Sequence, residues 1–348
     1  MKKIDQASIG DIKNHLTNVH EILIVTHYNP DGDAIGSSLA LFHFLDQRGY
    51  RVNVVVPNHY PDFLRWLPGN EHIIIAENEP DKTHQIINKA ELIIFLDFNV
   101  LDRTQQLENI FRNTHAPKIL IDHHPQPEHF ADIIVNTVQV SSTAELLYEL
   151  IAILGDSDPM SKNIAECLYT GIMTDTGSFS YNSSLPETYY VVSKLLECGI
   201  DKDKIYWQVY NHYSIDRMQL LGYCLYQKLK VFKAYGASYI SINSDEQDRF
   251  KYQTGDSEGF VNYPLSIHGI MFSAIFIERK DHVKISFRSK GDFPANTFAA
   301  NHFNGGGHRN AAGGYSELSL KETLNKFESL LSQYKVQLLE NHIDDADQ

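Results

Sequence analysis

The chain has only three cysteines, Cys167, Cys198 and Cys224, and none stands in a C-x-x-C pair. That spacing argues against a disulfide framework or a zinc knuckle and fits a reducing compartment, so a cytoplasmic location is expected. No apolar run approaches the ~18 residues that a membrane span needs. The opening MKKIDQASIGDIKNHL lacks the apolar core of a secretory signal, so no signal peptide is expected. Positive charge is scarce: 30 Lys and Arg stand against 44 Asp and Glu, for a formal net charge of −14. Phosphate neutralisation supplies most of the affinity for long nucleic acid. A track for a long duplex is therefore disfavoured, whereas a short anionic ligand held by metal ions and a few local cations is not. Internal repeats, low-complexity tracts and a G-K-[ST] phosphate loop are also absent.

What remains is ordinary globular material. Hydrophobic residues make up 43% and charged residues 21% of the 348 positions, enough for two domains with real cores. Short Val-, Ile- and Leu-rich runs at 22–26, 52–56, 73–76, 92–96 and 118–121 are apolar on both faces, as strands of a covered parallel sheet are. Between the first two, Ala34 to Leu45 carries Ile35, Leu39, Phe42 and Leu45 at helical spacing. This alternation predicts an α/β domain with a mainly parallel sheet. Ser141-Ser142-Thr143-Ala144-Glu145 predicts a helix start, and a further helix is expected from Ser161 to Thr170. From Pro186 to Lys228 the pattern is helical.

Beyond that the texture changes. Ala237 to Asn243 and Met271 to Glu278 read as strands, and Val283 to Ser289 alternates apolar and polar residues strictly. A glycine run, Asn304-Gly305-Gly306-Gly307-His308, and a helix from Leu320 to Tyr334 follow. The expected layout is a metal-binding domain over 1–190, a helical connector over 191–231, a smaller α+β domain over 232–335 and an acidic tail over 336–348, with a cleft between the domains.

Four clusters in the first domain carry the chemistry: His27, Asp31 and Asp33; Asp97; Asp122-His123-His124; and Asp175. The first three follow strands and the fourth is expected in a loop. Ligands bind beyond the carboxyl ends of the strands in open α/β sheets. Carboxylates packed this closely repel one another unless a cation sits among them. Taken singly, each has a plainer explanation: Asp33 and Asp97 could simply cap helices. Together, mixed imidazole and carboxylate donors suit Mn²⁺, Fe²⁺, Co²⁺ or Zn²⁺ better than Ca²⁺. Two His and four Asp exceed what one ion needs, and a pair of ions sharing a carboxylate is a standard device for attacking phosphate esters.

The segments HYNPDGDAIGS, FLDFN, DHH and TDTGSF resemble the DHH phosphoesterase superfamily, and FNGGGHRNAAGG resembles its DHHA1 substrate-binding domain. The likeness runs from about 20 to 335 and is nearest the bacterial nanoRNase and pAp-phosphatase (NrnA-like) group, which is related to exopolyphosphatases. The resemblance implies one divalent ion, most suitably Mn²⁺, on His27, Asp31 and Asp97, and a second on Asp33, Asp97, His123 and Asp175, with Asp97 bridging. It further implies that Asp122 orients an imidazole and that Asp97 and His124 are catalytic, His124 facing the scissile phosphate. The loop after the triplet, Pro125-Gln126-Pro127, departs from the family's commonest pattern.

Consecutive glycines allow close backbone approach and can form an anion-binding nest. With the resemblance, Gly305, Gly306, Gly307, His308 and Arg288 are expected to bind substrate, and Lys284 and Lys290 to add positive field. The implied partners are short single-stranded oligoribonucleotides, cleaved to 5′-mononucleotides, and 3′-phosphoadenosine 5′-phosphate. No long duplex and no membrane is expected, and a homodimer is allowed. Linear dinucleotides such as pApA or pGpG would suit the same site. Pyrophosphatases of the superfamily carry a different C-terminal domain, and a non-catalytic nucleotide sensor would be expected to lack ligands that this chain retains.

Overall fold

The computed structural model describes residues 4–155 and 159–340, and the chain divides into two compact units, Met1–His212 and Tyr213–Gln348. In the first, β1 (Glu21–Val25), β2 (Arg51–Val56), β3 (Ile73–Ile75), β4 (Leu92–Leu96), β5 (Lys118–Asp122) and β6 (Ile133–Asn136) form a wholly parallel sheet in the order β3-β2-β1-β4-β5-β6. The order reverses at β1, and β4 pairs with it directly. Every residue of β4 is buried, because both faces of the sheet are covered. Ile22, Ile24 and Ile94 pack into one apolar core and Leu23, Val25 and Phe95 into the other. Fully burying each such side chain contributes roughly 1.5–3 kcal/mol.

Two helices of this unit position chemistry. Helix Gly32–Asp46 is apolar almost all round and buried from Gly32 to Phe42, so it lies inside the unit rather than on it. It crosses helix Lys162–Asp175 at Gly36, where an added Cβ would lie 2.6 Å from the Cys167 carbonyl oxygen. The second helix runs five residues beyond the expected Thr170 and ends on Asp175, which is therefore a helix terminus and not a loop residue. Strand β6 was not legible as a run, being only Ile133–Asn136. Helices Pro186–Glu197 and Lys202–Tyr210, in the expected connector, lie within the first unit, and helix Ile215–Tyr223 lies within the second.

The second unit holds β7 (Lys230–Phe232), β8 (Ala237–Ile242), β9 (Phe272–Glu278), β10 (Val283–Ser289), β11 (Gly306–His308) and β12 (Ala311–Ser316) in the order β11-β12-β10-β9-β8-β7. Only β8 and β9 pair in parallel. The alternation of β10 holds residue by residue: Val283, Ile285 and Phe287 are buried in a phenylalanine-rich core, and Lys284, Ser286 and Arg288 face the other way. The glycine run differs from a loop. Gly306–His308 is an edge strand paired with β12, and a Cβ at Gly305 would lie 2.0 Å from the Gly313 carbonyl oxygen. Close strand approach accounts for glycine at that position. Of the expected acidic tail, 341–348 lies outside the described residues, while Lys335–Glu340 is helical and buries Leu338 in the second unit's core. No helix among the described residues is long and apolar enough to cross a membrane.

Candidate metal centre

The carboxyl ends of β1, β4 and β5 lie side by side, since β4 pairs with both neighbours. Thr26 ties two of them by donating its hydroxyl to the Leu96 carbonyl at 2.9 Å. His27, the next residue, is buried, and its Nδ1 lies 2.9 Å from the Tyr28 carbonyl. With Nδ1–H donating there, Nε2 carries the lone pair. It faces Asp97 Oδ2 at 3.6 Å and Asp31 Oδ2 at 4.0 Å.

Asp31 does two jobs with two oxygens. Oδ1 caps helix Gly32–Asp46 by accepting from the backbone N–H groups of Asp33 and Ala34, at 3.0 and 3.1 Å. Oδ2 is left for the site. The capping role that the sequence allowed for Asp33 thus belongs to Asp31. Asp33 instead enters the first helical turn and is 1% exposed. It accepts the Thr143 and Ala144 backbone N–H groups at 2.6 and 2.9 Å. That pair of donors is the N-terminus of helix Thr143–Leu154, where a carboxylate is favoured by the unpaired amides and the helix dipole.

Asp97 sits at the centre. Its φ of 69° is left-handed, a conformation that Asp tolerates better than most residues. Its Oδ2 faces His27, and its Oδ1 lies 3.5 Å from His123 Nε2. One carboxylate thereby addresses both imidazoles. His123 Nε2 is also 3.6 Å from Asp175 Oδ2 and 3.9 Å from Asp33 Oδ2. The donor atoms of His27, Asp31 and Asp97 all lie within 4.8 Å of one another, as do those of Asp33, His123 and Asp175.

The neighbouring His124 is held differently. Its Nδ1 is 2.7 Å from Asp122 Oδ1, while Arg103 Nη1 approaches its Nε2 at 3.3 Å. Nδ1–H therefore donates to the carboxylate and Nε2 accepts from the guanidinium. Asn136 fixes Asp122 from the other side, donating to its Oδ2 at 3.0 Å.

The electrostatics favour cations. Burial, then repulsion from Asp97 and Asp31, holds the Asp33 carboxyl well above the usual range. Burial followed by the charges of Asp31, Asp175 and Asp122 does the same to Asp97. Burial, with Arg103 adding to it, pulls the His27 imidazole down to about 4, so it is neutral and available as a ligand. Two clusters of carboxylate and imidazole donors, with Asp97 facing an imidazole of each, fit divalent ions. The expected ligands His27, Asp31, Asp33, Asp97, His123 and Asp175 converge in one unit, with Asp122 and His124 beside them. Arg288, Gly305, Gly306, Gly307 and His308 belong to the second unit and come together there across β10, β12 and β11.

Sequence reading did not single out Thr143, Arg103 or Asn136. Thr143 was read only as part of a helix start. Asn136 ends the strand that went unseen, and Arg103 lies in a 3₁₀ segment with no periodic signal.

Residues 21–172 match the DHH family, N-terminal domain, and residues 234–336 match the DHHA1 domain. The solved structure of an exopolyphosphatase-related protein from Bacteroides fragilis is 47% identical, with a TM-score of 0.92 over 97% of this chain and 99% of that one. The bifunctional oligoribonuclease and PAP phosphatase NrnA of Thermus thermophilus is 29% identical over 84% of this chain and 83% of its own. The Bacillus subtilis protein of the same name is 26% identical over 90% of this chain and 96% of its own.

Proposed function

This chain belongs to the DHH family and carries a DHHA1 domain, and from that premise we propose that it is a metal-dependent phosphoesterase of small phosphorylated nucleotides. Its substrates are short oligoribonucleotides, cleaved to 5′-mononucleotides, and 3′-phosphoadenosine 5′-phosphate, converted to AMP. The observation that carries the reading is Asp97, with one oxygen toward His27 and the other toward His123.

His27, Asp31 and Asp97 would hold one divalent ion, and Asp33, Asp97, His123 and Asp175 the other, Mn²⁺ being among the ions that mixed donors suit and the one the resemblance implies. Such ions supply Lewis acidity for activating water and offsetting charge on phosphoryl oxygens. The chain's own residues do the rest. Asp122 keeps the His124 proton on Nδ1. Arg103, whose guanidinium also reaches His124 Nε2, places donors and positive potential beside the acidic cluster, where a phosphoryl group gains charge in the transition state. Arg288, the glycine strand and His308 supply substrate contacts in the DHHA1 domain. The acidic balance of the chain and its scarcity of Lys and Arg support a short ligand over a long one.

Purified protein with Mn²⁺ should release AMP from a diadenylate and from 3′-phosphoadenosine 5′-phosphate. Asp97→Asn should lower kcat by about 10²-fold or more, since partners that merely orient metal ligands are already worth about 10- to 100-fold. No hydrolysis of either substrate, in any of Mn²⁺, Mg²⁺ or Co²⁺, would sink the reading.

A further inference from the structure

Tyr28-Asn29-Pro30 carries the chain from one proposed ligand, His27, to another, Asp31. Tyr28 is tied, its backbone N–H donating to the Arg103 carbonyl at 2.7 Å. Pro30 has its φ fixed by its ring. With both neighbours constrained, the bend between the two ligands is set at Asn29. Its φ is 56°, in the left-handed region. Asn tolerates that region better than most residues, but a following proline favours extended backbone at the position before it. Such a conformation is costly and persists only where its surroundings impose it.

Asn58 imposes it. It stands just beyond β2, at the carboxyl edge of the sheet and beside the exit of β1, and it is buried. Its Oδ1 accepts the Asn29 backbone N–H at 2.6 Å, and its Nδ2 donates to Asn29 Oδ1 at 2.9 Å. The two bonds grip backbone and side chain of the same residue, so they fix a torsion and not merely a position. Asn58 is anchored in turn. The Pro57 carbonyl before it accepts from Gln106 Nε2 at 3.0 Å and from the Glu77 backbone N–H at 3.2 Å. The ligand downstream of the bend is the one with least packing of its own. The Asp31 side chain is 47% exposed, against 23% for Asp175 and 4% or less for His27, Asp33, Asp97 and His123. Were Asn29 to relax to extended backbone, the chain would leave the bend in another direction and Asp31 would lose its approach to His27.

We propose that Asn58 is a positioning residue for one of the two ions: by holding Asn29 left-handed it sets the reach of Asp31 to the ion shared with His27 and Asp97. The cluster of Asp33, His123 and Asp175 does not hang on this bend, since Asp33 is held by the backbone of Thr143 and Ala144. The inference rests on the two-ion reading and goes beyond it in making the sites separable, one governed through the bend and the other not.

The test is titration of the metal-stripped full chain with Mn²⁺, followed by electron paramagnetic resonance. Two ions sharing a carboxylate give a broadened, exchange-coupled signal, and a lone bound ion does not. Asn58→Leu, similar in shape and unable to make either bond, should weaken one ion about 10- to 100-fold, the scale for losing the partner of a metal ligand. The other ion should keep its wild-type affinity, so the coupled signal gives way to that of a lone ion at intermediate Mn²⁺. Asp31→Asn should lose the same ion, and adding Asn58→Leu to it should cost little more, because the two act along one path. Asn58→Asp keeps the acceptor for the Asn29 N–H and, once the Asn29 amide turns to offer its NH₂, the second bond as well. It should restore the weakened ion. A merely structural role would lower the melting temperature of the stripped protein and weaken both ions alike. That result, additive losses in the double variant, an Asn58→Leu variant that binds like the wild type, or a wild type that binds a single ion would overturn the inference. A wild type that binds two ions and hydrolyses no nucleotide would instead strike the functional reading and leave the role of Asn58 standing.

Discussion

The Thr143 hydroxyl donates to Asp97 Oδ1 across 2.9 Å. The same residue gives its backbone N–H to Asp33, so one helix start orients two carboxylates that would otherwise only repel each other. That start is itself pinned. Ser142 caps it by accepting from the Glu145 backbone N–H, and the buried Glu145 carboxylate accepts from the Ser141 and Thr188 hydroxyls, each at 2.7 Å. Oriented donors behind a ligand fix which lone pairs it offers.

Thr143→Val keeps the backbone donor to Asp33 and the shape of the side chain, and removes only the hydroxyl bond to Asp97. Metal affinity should fall 10- to 100-fold, the usual scale for losing an orienting partner, while Thr143→Ser restores most of it. Titration of metal-stripped protein with Mn²⁺ checks this. Unchanged affinity in the valine variant would mean that Asp97 is held by its backbone alone.

Asp122→Asn tests a different link. The amide can present an N–H to His124 Nδ1, turning the imidazole's proton to Nε2 and against the Arg103 guanidinium that now approaches it. The expected result is a loss of about 10- to 100-fold in kcat with little change in KM. Metal affinity should move far less, because His124 is not among the proposed ligands. A loss confined to metal binding would reassign Asp122 to the metal site.

Much of this was legible in the chain because strands covered on both faces announce themselves. Leu92 to Leu96 is apolar throughout, and an acidic residue after such a run stands where sheet ligands bind. The alternation of Val283 to Ser289 likewise assigned Lys284 and Arg288 to one face. What could not be read depends on long-range geometry. Thr143 meets Asp33 across 110 residues of sequence, and nothing local marks it. The exchange of roles between Asp31 and Asp33 is set by which carboxylate the crossing helices bury. Gly306–His308 became a strand because its partner, β12, lies beyond a turn whose register no local pattern announces.

Gly171 makes the dependence on helix crossing testable. An added Cβ there would lie 2.6 Å from the Ala144 Cβ and 2.8 Å from Asp33 Oδ1. Both neighbours are fixed, one by its helix and one by two backbone hydrogen bonds. Gly171→Ala should therefore destabilise the protein by about 1–3 kcal/mol, as overpacking does, despite the better helix propensity of alanine. It should also weaken metal binding, because Asp33 must move. Thermal melts of stripped and metal-loaded protein separate the two effects: the gain in Tm on adding metal should shrink as well as the baseline.

Removing the metal should reverse how these carboxylates couple to pH. Burial and mutual repulsion raise Asp33 and Asp97 above the ordinary 3.8 in the folded chain. Between that value and the raised one, the folded state binds more protons than the unfolded state, so stability falls as pH rises through the window. The penalty is complete above the folded value and absent below the unfolded one. Divalent ions bind the ionised carboxylates and compete with those protons, so metal-loaded protein should gain stability over the same rise in pH. Other acids, such as Glu128 paired with Arg112, titrate in the opposite sense, so the comparison is made against Asp97→Asn. In EDTA the substitution should raise Tm, and more so at pH 8 than at pH 5. With Mn²⁺ it should lower Tm at pH 8. A variant that is less stable than the wild type in EDTA at both pH values would show that the buried pair is already compensated without a cation.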